Sequence, residues 1–219
     1  MLSVLHCKTM QQLDAPFLID FFHLAGLRLD EAREMLCVLD GAIGDGDHGS
    51  SMAGGFAAIN DALRLSAQAD PASVMRIAAQ AFLAEVGATV GPLYATGLLE
   101  AGKRLQGKRL QLCELDLVLS GIADGIRRRG QADPGDKTML DVWHSAALSA
   151  QRAGPDIAEL AQAVDATARQ AADSTRGMMA ARGRAARLQE RTIGHLDPGA
   201  ASAAIVIGAL CDAAKARVA

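Results

Sequence analysis

Apolar positions recur at three- and four-residue intervals along most of this chain, the period of an amphipathic helix. Between residues 11 and 39, Leu13, Phe17, Leu18, Phe21, Phe22, Leu24 and Leu27 precede Met35, Leu36, Val38 and Leu39. The break at Gly26-Leu27-Arg28-Leu29-Asp30 predicts two helices there, the second capped by Asp30. Met52, Phe56, Ile59 and Leu63 place a third over about 50–66, entered at His48. Asp70-Pro71, a cap followed by proline at the first helical position, opens a fourth that runs to about Val86. A small-residue loop over 87–97 leads to a fifth ending near Lys103, and a sixth covers about 114–129. Asp136 reads as the cap of a seventh that stops at Gly154-Pro155, and residues 156–180 read as one long eighth. Asp197 with Pro198 opens the last helix, which runs to about Arg217.

Composition supports helix nearly everywhere. Half of the 219 residues are apolar, mostly Ala, Leu, Val and Ile, while aromatics make up 3%, so strand-forming chemistry is scarce and an all-α fold is expected. One domain over 1–219 can bury a sizeable core. A formal charge of −3 gives no electrostatic footprint for nucleic acid, which is not expected as a partner. Cys7, Cys37, Cys113 and Cys211 are far apart and form no C-x-x-C, and no leader pattern opens the chain, so reduced thiols and a cytoplasmic location are expected. Without an apolar run of 18 residues, no membrane span is expected.

The chemistry concentrates in Leu39-Asp40-Gly41-Ala42-Ile43-Gly44-Asp45-Gly46-Asp47-His48-Gly49, which puts three carboxylates within eight residues of a glycine-rich turn. Hard oxygen donors this close together suit Mg²⁺ or Ca²⁺. An EF-hand is excluded because Phe56 stands where a twelve-residue loop from Asp45 requires its glutamate. The helix beginning at His48 points its unpaired N–H groups into the same space, so an anion site lies beside a cation site, as a metal-bridged polyphosphate requires. A solvated Asp/Gly turn is the plainer alternative.

Other features carry less. Gly97-x4-Gly102-Lys103 fits part of a P-loop, but Arg104 replaces the Ser/Thr and no strand precedes it, so a P-loop is rejected. Arg127, Arg128 and Arg129 are expected to serve a helix C-terminus. Lys137 at a helix start opposes the dipole and is expected to have a salt bridge or an anionic partner. His6 and His23 read as structural or surface residues and His144 as a core or interface histidine. Residues 181–191 carry four arginines and no apolar stripe, so they read as a loop exposed to something anionic or, more plainly, as a solvated basic turn.

Four motifs in order, G-D-x-D-H-G (Gly44–Gly49), G-P-L-[FY]-x-T (Gly91–Thr96), P-G-D-K-T-M-x-D-V-W (Pro134–Trp143) and G-R-A-x-x-L-x-E-R-[ST]-I-G-H-x-D-P-G-A (Gly183–Ala200), resemble the L subunits of dihydroxyacetone kinases over roughly residues 15–215. The resemblance implies an eight-helix antiparallel barrel or bundle with a nucleotide, ADP or ATP, and two Mg²⁺ ions held by loops at one end. It places the metal on Asp40, Asp45 and Asp47. It places nucleotide contacts on His48, Gly49, Ser50, Ser51, Thr89, Val90, Gly130, Met139, Arg184, Asp197, Pro198 and Gly199, with Arg184 also taken as the catalytic cation. The chain departs from the pattern where Thr89-Val90 replaces Ala-Ser, at Ser51, at Gly46 and at Arg187.

The function implied is that of a phosphotransferase subunit that passes a phosphoryl group to dihydroxyacetone or a related small ketose held on a separate K subunit. In one version ADP is resident and is rephosphorylated by a phosphotransferase-system M-type protein, the version preferred here. In the other ATP exchanges freely. A non-catalytic nucleotide sensor docking on a transcription regulator is the rival class, and a homodimer is left open. No second polar constellation suited to a ketose is found, so the isolated chain is expected to be inactive as a kinase.

Overall fold

The computed structural model describes residues 12–64, 70–87 and 89–218. The expectations for His6 and Cys7, and for the end of the third helix at 65–66, fall outside these residues. Nine α-helices occur among the described residues: α1 (Ala15–Glu31), α2 (Arg33–Ile43), α3 (His48–Arg64), α4 (Pro71–Glu85), α5 (Val90–Leu105), α6 (Asp116–Gly130), α7 (Met139–Arg152), α8 (Ile157–Ser174) and α9 (Pro198–Ala216). No named strand is present among them, and the expected all-α class is the one observed.

Capping explains most of the starts. Asp14, Asp70, Asp156 and Asp197 each accept backbone N–H groups from the first turn of α1, α4, α8 and α9, satisfying donors that would otherwise be orphaned. Where the boundaries differ from the sequence reading, packing or a better cap decides. The α1 helix runs through Gly26 to Glu31 because Phe22, Ala25 and Leu29 continue its buried face, and Asp30 pairs with Arg33 instead of capping α2. For α7 the cap is Thr138, in a reciprocal box with Asp141, while Asp136 accepts the Asp133 N–H inside the preceding turn. Helix α5 begins at Val90, so the loop expected over 87–97 is shorter and the rejected P-loop glycines lie inside a helix. Helix α8 stops at Ser174, followed by short 3₁₀ turns at Thr175–Gly177 and Ala185–Thr192.

Successive helices from α3 to α9 pack on one another, and α9 also packs on α1, α7 and α2. The interior is filled by a line of aromatic rings in which Phe22, Phe56, Phe82, Tyr94 and Trp143 lie 5.4–6.4 Å apart between ring centres. Burying each such side chain contributes about 1.5–3 kcal/mol. Helix α9 is long and apolar enough, by length and composition, to cross a membrane, which the sequence reading did not anticipate; here it is a largely buried core helix. Cys37, Cys113 and Cys211 form no disulfide among the described residues. Helix α9 also starts at the functional end, so the core and the site share an element.

Candidate functional site

The open end of the bundle holds a cleft of about 420 Å³, walled by the α2–α3 turn, the start of α5, the ends of α6, the start of α7, the 182–185 segment and the first turn of α9. Asp40 lies in the last turn of α2, which extends past the expected loop boundary to Ile43. Its Oδ2 accepts the backbone N–H groups of Asp47 at 3.0 Å and His48 at 3.2 Å, so the turn folds back over its own carboxylate. A side chain at Gly44 would lie 2.2 Å from Asp40 Oδ1, so only glycine admits that approach. Ligand atoms of Asp40, Asp45 and Asp47 fall within 4.8 Å of one another. An all-carboxylate set at this spacing fits a hard divalent cation such as Mg²⁺.

Arg184 reaches across the mouth and forms an ion pair with Asp45. The 181–191 stretch is therefore not simply solvated, because it brings one guanidinium to the carboxylate cluster while Arg182 pairs with Asp136 at 3.0 Å. Thr89, Val90, Gly130, Met139, Asp197, Pro198 and Gly199 line the same cleft with Ser51 and His48, so most of the residues singled out in the sequence converge. Gly49 and Ser50 do not line it. A Cβ on Gly49 would lie 2.0 Å from the Arg33 carbonyl oxygen, so this position serves the close approach of α3 to α2, and Ser50 faces Cys37.

His48 is buried, and its Nε2 lies 2.8 Å from Ser202 Oγ on α9. Burial pushes its pKa down, against the opposing pull of Asp40 and of a hydrogen bond to the Pro198 carbonyl. Its ring thus joins the starts of α3 and α9, two of the helices whose N-termini line the cleft. Asp197, the α9 cap, accepts the Ala200 N–H at 2.7 Å and receives support from Thr175, whose Oγ1 accepts the Asp197 N–H at 3.0 Å. Burial raises the Asp197 carboxyl to about 7, with Lys137 opposing the shift and Asp141 and Asp40 adding to it.

Lys137 departs from the sequence reading. Its side chain is buried, and Nζ donates to three backbone carbonyl oxygens, those of Thr175 at 2.6 Å, Thr192 at 2.8 Å and His195 at 2.6 Å. The expected anionic partner is replaced by chain carbonyls, with Asp197 acting only as a nearby charge. A lone lysine beside a helix start gives no sign in the sequence that three carbonyls from residues 175–195 will converge on it. The arginines at the end of α6 also do something other than expected. Arg127 forks onto Asp133 and Arg128 reaches Glu100 at 2.7 Å, so two of the three are taken up by ion pairs. His144 is half-buried, His23 is exposed on α1, and the His195 ring is exposed even though its carbonyl is used.

Fold and site together define an all-helical protein whose open end presents a carboxylate triad, several helix N-termini and the arginines Arg129, Arg182 and Arg184 to one cleft. More particularly, the chain belongs to the DAK2 domain family, which matches residues 42–212. It is 36% identical over 187 residues to the "PEP-dependent dihydroxyacetone kinase 1, ADP-binding subunit DhaL" of Listeria innocua, covering 84% of this chain and 89% of that protein. It is 39% identical over 186 residues to the "PEP-dependent dihydroxyacetone kinase, ADP-binding subunit DhaL" of Escherichia coli, covering 83% and 89%. Among solved structures it is similar to the dihydroxyacetone kinase from C. freundii in complex with AMP-PNP and Mg²⁺, at 25% identity and a TM-score of 0.70, over 97% of this chain and 37% of that longer one. The resemblance read from the four motifs is borne out.

Proposed function

We propose that this chain is the nucleotide-binding L subunit of a phosphoenolpyruvate-dependent dihydroxyacetone kinase, acting in the cytoplasm with a K subunit that holds dihydroxyacetone or a related ketose. The observation that carries this reading is the convergence, in one cleft, of a hard-oxygen triad, two helix N-termini and Arg184. The relatives' names, which state ADP binding and dependence on PEP or the PTS, support ADP over freely exchanging ATP, and a phosphotransferase-system M-type protein is the proposed donor that recharges it. Asp40, Asp45 and Asp47 would hold two Mg²⁺ ions, which when bound with the nucleotide would supply positive charge against its phosphates.

The chain's own groups then do four things. Asp40, Asp45 and Asp47 hold the metal, and the turn's N–H groups on Asp40 keep that carboxylate in place without a bulky partner. The first turns of α3 and α9, which line the cleft at His48, Ser51, Pro198 and Gly199, turn the positive ends of their helix dipoles toward the phosphates. Arg184 leaves Asp45 to meet the transferring group, supplying positive charge where negative charge develops. Docking of the K subunit over the open end closes the cleft against water and limits loss of the phosphoryl group to hydrolysis.

The test incubates the purified chain with Mg²⁺ and dihydroxyacetone, with ATP or with phosphoenolpyruvate and phosphotransferase components, each with and without a K subunit. Product is expected only with the K subunit and the phosphotransferase donor. Sugar phosphate formed by the chain alone would refute the divided site, and product from ATP plus K subunit without the donor system would refute the resident ADP. Calorimetry adds a second check, since Asp45→Ala should abolish tight Mg²⁺-dependent ADP binding, and an unchanged affinity would remove the metal assignment.

A further inference from the structure

The cleft is not uniform along its length. One side is formed by the carboxylates of the α2–α3 turn, by Arg184 and by the start of α9, whereas the α5–α6–α7 side presents Val90, Leu93, Ile126, Ala132 and Met139 together with Thr89, Lys137 and Thr138. Helix α6 packs on α5 and α7, while α2 and α3 pack on each other and on α9, so the apolar wall and the charged wall belong to different parts of the rim. A nucleotide has the same asymmetry, with a flat, weakly polar base at one end and phosphates at the other. An apolar slot beside a few polar groups is the usual environment of such a ring.

Arg129 stands on that apolar wall, one turn along α6 from Ile126 and next to Gly130. Its two neighbours in the sequence are engaged, Arg127 with Asp133 and Arg128 with Glu100. Arg129 forms no hydrogen bond or ion pair among the described residues. It is exposed and carries an uncompensated charge beside Ile126 and Gly130, on a helix that packs on α5 and α7. A guanidinium is planar and weakly hydrated and stacks on aromatic faces, which an ammonium does far less well. Gly130 contributes little bulk next to it, since even a Cβ there would approach Leu93 to 3.1 Å.

We propose that Arg129 is a nucleotide-binding residue that lies over the face of the nucleobase and closes the apolar end of the cleft, contributing base affinity and not phosphate affinity. The proposal rests on the nucleotide-binding reading above. Its selectivity would follow from position, because the guanidinium stands beside Ile126 and Gly130 on the α5–α6–α7 side of the cleft.

The experiment is titration calorimetry of the full chain with Mg²⁺-ADP and separately with Mg²⁺-pyrophosphate, which has the phosphates but no base. Arg129→Ala, Arg129→Lys and Arg128→Ala are compared with the parent protein, and melting curves confirm that each is folded. Arg129→Ala is expected to weaken ADP about tenfold, the order of a partly desolvated cation–π contact, and to leave pyrophosphate unchanged. Arg129→Lys should lose nearly as much, since charge alone does not stack, and Arg128→Ala should bind both ligands like the parent. Equal loss of ADP and pyrophosphate in Arg129→Ala would overturn the proposal in favour of a phosphate contact. Full retention of ADP affinity would overturn it outright. A parent protein that binds pyrophosphate but gains nothing from the base would refute this inference while leaving the phosphate site standing, and one that binds neither would refute the nucleotide reading itself.

Discussion

Lys137→Met isolates what holds the segment between α8 and α9 in place. Methionine keeps the length and most of the apolar volume of the lysine stem but removes the ammonium, so the carbonyl oxygens of Thr175, Thr192 and His195 lose their common donor. Hydrogen bonds to a charged group contribute about 1.5–3 kcal/mol each, but those sharing one ammonium do not add, and removing the buried charge also removes its desolvation cost. A net loss of about 4 kcal/mol follows, which for a domain of this size lowers the melting temperature by roughly 10 °C. Trypsin is the second readout, because Arg176, Arg182, Arg184, Arg187 and Arg191 all lie in the released segment. Cleavage should begin there, well before the helices are cut. Lys103→Met is the control, since exposed Lys103 pairs only with Glu100 on the surface of α5 and its loss should cost at most about 1 kcal/mol. If Lys137→Met melts within about 2 °C of the parent and is cut no faster, the three carbonyls are satisfied by other means and the reasoning fails.

Asp197→Asn keeps an α9 cap while removing the charge. Because burial places the folded carboxyl near 7, above its unfolded value of 3.8, the folded state binds the extra proton between those values and stability falls as pH rises through the window. The Asn variant should therefore gain on the parent by up to about 4 kcal/mol above pH 7 and match it near pH 4, as chemical denaturation at several pH values would show; parallel curves would mean that the carboxylate is not strained by burial. Arg184→Ala should slow phosphoryl transfer about a hundredfold in the reconstituted system with ADP affinity reduced far less, whereas Arg187→Ala, exposed and outside the cleft lining, should change neither appreciably. Equal, small losses in both would return the basic stretch to a solvated face.

Much of this was legible because the chain writes its helix starts in side-chain chemistry. Asp70-Pro71 and Asp197-Pro198 gave two starts to the residue, and the Gly/Asp turn announced a carboxylate cluster that the structure assembles. The end of α1 was misread because a polar break at Gly26-Asp30 looks like a boundary, although the buried stripe of Ala25 and Leu29 continues through it. Asp136 precedes the helix and has the chemistry of a cap, but Thr138 with Asp141 makes the reciprocal box and wins the N–H groups. Gly49 lies inside a motif, and that motif gives no sign that its small size is also required by the Arg33 carbonyl behind it. Lys137 was illegible for a different reason. Its partners are main-chain oxygens 38 to 58 residues away, and no local pattern encodes them.

Because α9 both caps the cleft and runs through the core, with His48 and Ser202 tying it to α3, whatever occupies the cleft also loads the folding equilibrium. A ligand held only by the folded state raises its free energy of unfolding by RT ln(1 + [L]/Kd), about 2.7 kcal/mol at a hundred times Kd. Heating the protein is therefore a way of counting bound ligand. The melting temperature of a freshly purified sample, before and after a chelator strips the metal, reports whether the cleft was filled in the cell.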